Sequence, residues 1–153
     1  MNIDGSSLGN PGMAGGGIVV RDSFGRVLHA CSVSFGHATS FQAELKALIH
    51  GLELCQQLGL THGTLEMDSK MVVDMINGCV SCPWRFYHEL HGARVLLRSL
   101  SLHLTHILRE SNAVADYLAK LASLQQASIT FAASDLPPFV KGLVSLDRVQ
   151  YPL

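Results

Sequence analysis

The chain has little charge. Asp, Glu, Lys and Arg make up 15% of its 153 residues, while 48% are apolar, a balance that excludes a disordered segment. It has no run close to the ~18 apolar residues that a membrane-spanning helix needs. Its N-terminus lacks the charged-then-apolar order of a secretory signal. Positive charge is not in excess either: eleven bases stand against twelve acids, a net of −1, which is a weak footprint for a polyanion partner. Four cysteines, Cys31, Cys55, Cys79 and Cys82, appear without secretory context and read as reduced thiols of a nuclear or cytoplasmic protein. There is no internal repeat and no low-complexity tract. The length suits one domain with one core.

What is present is a clear order of periodic segments. Met1 and Ile3 form an apolar stub that reads as a strand ending near Asp4, and a glycine-dense loop, Gly9-Asn10-Pro11-Gly12, follows. The β-branched run from Gly16 to Arg21 turns at Asp22-Ser23-Phe24-Gly25 into Arg26 to Phe35, which predicts a hairpin. Phe41, Leu45, Leu48, Leu52 and Cys55 recur at helical steps, with Gly59 as the stop. Thr64 to Asp68 reads as a strand, and Val72, Val73 and Ile76 as a helix ending at Gly78. Phe86 to Leu100 predicts a helix and Leu102 to Leu108 a strand. Ser111 is placed to cap a last helix carrying Val114, Tyr117, Leu118 and Leu121. The order β-β-β-α-β-α-α-β-α predicts an α/β fold, a mixed five-stranded sheet with helices on both faces. That unit covers residues 1–124. Residues 125–153 read as a partly ordered tail with one short apolar turn after Pro137-Pro138. The first strand begins at the initiator methionine, so a frayed strand or a piece of a longer protein is expected.

Four acids sit where acids are awkward. Asp4 and Asp68 end predicted strands, Glu44 lies one helical step from the apolar stripe, and Asp116 is flanked by Val114, Ala115, Tyr117 and Leu118. Buried acids are costly unless paired or bound to metal. If the two strands are parallel neighbours, Asp4 and Asp68 leave the sheet at one edge, where ligands of open α/β sheets collect. Hard oxygen ligands select Mg²⁺ or Mn²⁺ over zinc. Spacing alone leaves two readings open: a metal cluster, or surface acids at element ends. Setting these four aside leaves eight acids against eleven bases, a net of +3 for the rest of the chain.

Four motifs then carry a resemblance. Asp4-Gly5-Ser6-Ser7-Leu8-Gly9-Asn10-Pro11-Gly12 with Ala14-Gly15-Gly16-Gly17, Ala43-Glu44-Leu45-Lys46-Ala47-Leu48, Glu66-Met67-Asp68-Ser69 and Ala115-Asp116-Tyr117-Leu118-Ala119 occur in that order over roughly residues 2–122. Together they resemble type 1 ribonuclease H, and with Arg109-Glu110-Ser111-Asn112 and the proline-bearing tail they are most similar to plant ribonuclease H-type proteins. Many of those derive from the end of non-LTR retroelement reverse transcriptases. The resemblance implies an RNase H-like fold and a catalytic, metal-binding tetrad of Asp4, Glu44, Asp68 and Asp116. It implies two Mg²⁺ ions, with Mn²⁺ as a substitute, cutting the RNA strand of an RNA–DNA hybrid. It also implies nucleic-acid contacts at Gly5, Ser6, Gly9, Asn10, Gly12, Thr39 and Arg109. Glycine lets backbone approach the RNA 2′-hydroxyl, the group that separates RNA from DNA.

The chain departs from bacterial relatives in three ways. The loop before the last helix contracts to Arg109-Glu110-Ser111-Asn112 without a histidine, the basic protrusion is missing, and the first strand is truncated. Among the remaining signals, Cys79-Val80-Ser81-Cys82 with His88 and His91 has spacing too short for a usual zinc site and reads as loop and helix surface. Phe86 reads as core, while Trp84 and Arg85 are either a base-stacking surface or plain exposed residues. Arg109 either reaches the scissile phosphate or pairs with Glu110. Two further classes compete with the hybrid nuclease: an inactive RNase H-like module that binds nucleic acid or protein, and the DNA exonucleases and resolvases that share the fold. A monomer with no membrane contact is expected, descended from a chain that once included a reverse transcriptase domain.

Overall fold

Small side chains set the middle of the sheet. The computed structural model describes residues 1–150, with the side chains of residues 1–146. Strand β1 (Asn2–Gly9) pairs antiparallel with β2 (Gly12–Arg21) along its full length, from Asn2 opposite Val19 to Gly9 opposite Gly12. The first strand therefore does not end near Asp4. It continues through Gly5, Ser6 and Ser7, residues of low β-propensity that hold the strand because β2 pairs with each of them. The expected glycine loop shrinks to a two-residue turn, Asn10-Pro11, joined by a cis peptide bond. Strand β3 (Val27–Ala38) completes the antiparallel part, and helix α1 (Ser40–Gln57) follows at once.

On its other side β1 pairs parallel with the short β4 (Thr64–Met67). Helix α2 (Lys70–Ile76) follows β4, then a single 3₁₀ turn and α3 (Tyr87–Ser99). Strand β5 (His103–His106) pairs parallel with β4 and forms one edge of the sheet. A 3₁₀ turn over Arg109–Asn112 leads into α4 (Ala113–Gln125).

The tail holds more regular structure than the one short apolar turn expected after Pro137-Pro138. It forms β6 (Ile129–Ala132), antiparallel to β3, and α5 (Pro138–Gln150). The sheet thus has six strands in the order β5-β4-β1-β2-β3-β6, not five. Proline at the first position of α5 starts a helix well, because its missing N–H is not needed there. Leu136, Val140 and Val144 bury against Val19, Val27, Ala30, Val114 and Leu118.

The two faces of the sheet carry separate cores. On one, α1 lays Leu45, Leu48, Leu52 and Cys55 over Ile3, Ile18, Leu65 and Met67, with α2 and α3 outside them. Truncating one such leucine to Ala costs ~2–5 kcal/mol. On the other, α4 lies almost on the backbone of β2. A Cβ at Gly17 would sit 2.0 Å from the Ala115 carbonyl oxygen, so only glycine permits this approach. No helix among the described residues is long and apolar enough to cross a membrane.

Candidate active site

Strand lengths create the site. Strand β4 stops at Met67, opposite Ile3, so Asp4 is the first β1 residue past the parallel pairing and Asp68 the first residue past β4. The two acids therefore sit side by side where the parallel pairing ends, Asp4 still within β1 and Asp68 just beyond β4. Glu44 arrives from α1, whose backbone is pressed onto β1 at Gly5. A Cβ on Gly5 would lie 2.4 Å from the Ala43 carbonyl carbon and the Glu44 nitrogen. The Gly5 N–H also donates to Glu44 Oε2 at 3.0 Å, fixing the carboxylate over the strand.

As a result Asp4, Glu44 and Asp68 each offer an oxygen lying within 4.8 Å of the other two. Asp4 is 4% exposed, and among the described residues none of the three forms an ion pair with a Lys or Arg. Burial, followed by the charges of Glu44 and Asp68, pushes the Asp4 carboxyl up to about 10. Burial and then the Asp68 charge raise Glu44 to about 8, despite the opposing hydrogen bond from Gly5. Like charges this close cannot all ionise without a counterion. A set of hard carboxylate oxygens with no cation of its own fits Mg²⁺ or Mn²⁺.

Asp116 stands apart. It sits in the first turn of α4, 22% exposed at its side chain, with Lys120 Nζ 2.8 Å from Oδ2 and an Arg109 guanidinium nitrogen 3.8 Å from Oδ1. Its oxygens lie outside the cluster of three, yet its charge still raises the pKa of both Asp4 and Glu44. Arg109 pairs with Asp116 rather than with Glu110.

The residues expected to touch nucleic acid have structural partners as well. Thr39 is the N-cap of α1: its Oγ1 accepts from the Gln42 N–H at 3.1 Å, and Gln42 Oε1 accepts from the Thr39 N–H at 2.9 Å. Asn10 Oδ1 accepts from the Ser40 N–H at 3.0 Å, tying the β1–β2 turn to the same helix end. Gly9 and Gly12 close that turn, with Gly9 at a φ of 93°. The Ser6 carbonyl accepts from Ser123 Oγ at 3.3 Å. Glycine at position 5 is explained by the contact with α1.

Sequence reasoning missed two residues. Asn112 was expected to follow a Ser111 cap. Instead it occupies the cap position without a side-chain cap bond, and it is 1% exposed. Its Nδ2 donates to the Ile3 carbonyl at 2.9 Å and its Oδ1 accepts from Asn2 Nδ2 at 3.3 Å, pinning β1 next to Asp4. Lys120 was legible in principle, because it falls four residues after Asp116 on one helix face. Cys79, Cys82, His88 and His91 form no metal-holding group among the described residues. Trp84 is 89% exposed, and Phe86 is half-buried against Phe41, ring centroids 4.9 Å apart.

Comparison with known proteins identifies relatives of this fold. A family model described as "Reverse transcriptase-like" matches residues 2–122. An Arabidopsis thaliana protein provisionally named a ribonuclease H is 34% identical over 141 residues, which is 90% of this chain but 22% of that protein. The chain likewise spans 38% of its mycobacterial relatives. The crystal structure of RNase H1 from Halobacterium salinarum matches with a TM-score of 0.69 and 32% identity, covering 82% of this chain and 96% of that one. LC11-RNase H1, isolated from compost and solved in complex with an RNA/DNA hybrid, matches with a TM-score of 0.76 and 31% identity, covering 82% and 96%.

Proposed function

The chain belongs to the reverse transcriptase-like family of type 1 ribonuclease H domains, and we propose that it hydrolyses the RNA strand of RNA–DNA hybrids. The observation that carries this reading is the group of three carboxylates that, among the described residues, no Lys or Arg compensates. Asp4, Glu44 and Asp68 hold divalent ions in this proposal. Asp116 is the fourth carboxylate, acting on the same cluster through its charge. Two Mg²⁺ ions, replaceable by Mn²⁺, would be held by these carboxylates and would supply positive charge for the reacting phosphate and the attacking water.

The chain's own groups do the rest. Gly5 orients Glu44, Asn112 fixes the strand that bears Asp4, and Lys120 with Arg109 holds Asp116. The Gly9–Gly12 turn with its Asn10, and Thr39 beside it at the start of α1, form the surface for the hybrid backbone, with Gly5, Ser6 and Arg109 as further contacts. Cleavage leaves 3′-hydroxyl and 5′-phosphate ends. Residues 1–124 carry the activity as a monomer. The buried free thiols of Cys31 and Cys55 suit a nuclear or cytoplasmic setting, and an ancestral link to a reverse transcriptase domain fits the matched family.

Incubating the chain with a labelled hybrid, with and without Mg²⁺, tests this directly. Cleavage should need Mg²⁺ and should be lost in Asp68→Asn while the fold persists. An unchanged rate in that variant removes the role given to Asp68. One observation favours a second reading, an inactive hybrid- or protein-binding module: Asp116 is already engaged by Lys120 and Arg109. Binding of the hybrid without cleavage would select it. Cleavage of single-stranded or branched DNA in place of the hybrid would select the related DNA nucleases.

A further inference from the structure

The edge strand β5 has an outward side that the nuclease reading does not use. His103 N–H donates to the Gly63 carbonyl and Ile107 N–H to the Met67 carbonyl, so the odd-numbered peptide groups of this strand face β4. Successive residues of a strand alternate, which turns the Leu104 peptide groups outward. The Leu104 carbonyl is indeed held from outside, by Asn77 Nδ2 at 3.2 Å. Outside this edge lies a groove of about 960 Å³ between the end of α2, α3 and β5. Its floor is apolar, with Leu97, Leu102 and Leu104 all buried.

The wall of the groove is cationic. Arg94 and Arg98 sit one helical turn apart on α3, and both line it. Arg94 spends its hydrogen bonds on carbonyls at the end of α2, those of Met75 and Ile76, and Arg98 donates to the Arg94 carbonyl. Neither guanidinium meets a carboxylate among the described residues. A strand edge, a leucine-lined floor and two arginines without a carboxylate partner among the described residues match an extended polypeptide that carries both acidic and aliphatic side chains. A phosphodiester strand would satisfy the arginines but offers no backbone donor to replace Asn77 at the Leu104 carbonyl and no aliphatic group for the leucines.

We propose that this groove binds an acidic, extended peptide segment of a partner protein, which adds as a strand to β5. Its main chain pairs with Leu104, replacing the Asn77 bond. Its carboxylates meet Arg94 and Arg98, and an aliphatic side chain covers the floor. The surface lies on the β5 edge, away from the turn that faces the hybrid, so docking there leaves the acid cluster open.

The test is fluorescence anisotropy of the full chain with a labelled peptide of alternating Asp and Leu. Two probes serve as controls: the same peptide with Lys for Asp, and one with proline at alternate positions, which removes main-chain donors. Saturable binding of the first peptide alone is expected. Arg98→Glu, an exposed site that tolerates change, should weaken it about tenfold or more, with hybrid cleavage unaltered. Amide exchange at Leu104 should slow in the complex. No saturable binding up to about 1 mM overturns the proposal. So does equal binding of the proline peptide, or binding of oligothymidylate that is equally lost in Arg98→Glu, since either outcome means a charged surface without strand addition.

Discussion

Asp4 and Asp116 are both carboxylates of the family tetrad, but they live under different electrostatic regimes. Asp116 has Lys120 and Arg109 for company and stays near solvent. Asp4 is buried against two further carboxylates and has no cation, so its proton is held to about 10. The difference shows where a divalent ion does most. It completes a site at Asp4, Glu44 and Asp68 that the protein leaves uncompensated, whereas at Asp116 it must compete with side chains already in place.

The most severe break of that contrast is Asp4→Asn. Hybrid cleavage should fall by about 10³-fold or more, roughly 4 kcal/mol in the barrier. The metal-free protein should at the same time become more stable near neutral pH, because folding no longer has to put a proton on an acid that is ionised in the unfolded chain. Denaturant unfolding in the presence of a chelator reads the second effect. A variant that lost both activity and stability would point to a structural role instead.

The next effect is in the pH dependence of stability. Unfolded Asp and Glu ionise near 4, while native Asp4 and Glu44 keep their protons to about 10 and about 8. The native state thus binds more protons across that window, so metal-free stability falls as pH rises from about 4 through 8 to 10 and then levels off. Divalent ions bind the ionised form, so the gain in melting temperature on adding Mg²⁺ should grow with pH. Melts between about pH 6 and pH 9, with chelator and with Mg²⁺, check the sign.

Smaller effects sharpen the comparison. Asn112→Ala leaves the buried Asn2 amide without its partner and unpins the Ile3 carbonyl, at a cost of about 1–3 kcal/mol in chemical denaturation. Lys120→Met removes one partly exposed partner of Asp116 and should change stability by about 1 kcal/mol or less. A large loss of stability in Lys120→Met would show that this pair supports the fold more than its exposure implies.

Much of this was legible before the structure. The stripe from Leu45 to Cys55 buried as its spacing demanded, and the motifs placed the acids of three elements that meet at the end of β4. What escaped has physical causes. Residues 5–7 carry no strand signal, because close approach of α1 requires glycine at position 5, two serines follow, and pairing with β2 supplies the strand. Strand β6 is short and mostly exposed at the sheet's edge, so its hydrophobicity does not alternate. Asn10 and Thr39 looked like substrate contacts alone, since nothing in the sequence reveals that both side chains also hold the start of α1. The separation of Asp116 from the other three depends on rotamers and on two cations that approach from its own helix and from the turn before it.

Calorimetry of Mg²⁺ binding near neutral pH, repeated in buffers of different ionisation enthalpy, addresses the central claim most directly. If the buried carboxylates hold protons until a cation replaces them, binding should release about one to two protons per chain, and Asp4→Asn should lower that release by the Asp4 proton, leaving at most that of Glu44. Mg²⁺ binding with no proton released, or with the same release in Asp4→Asn, would contradict the account.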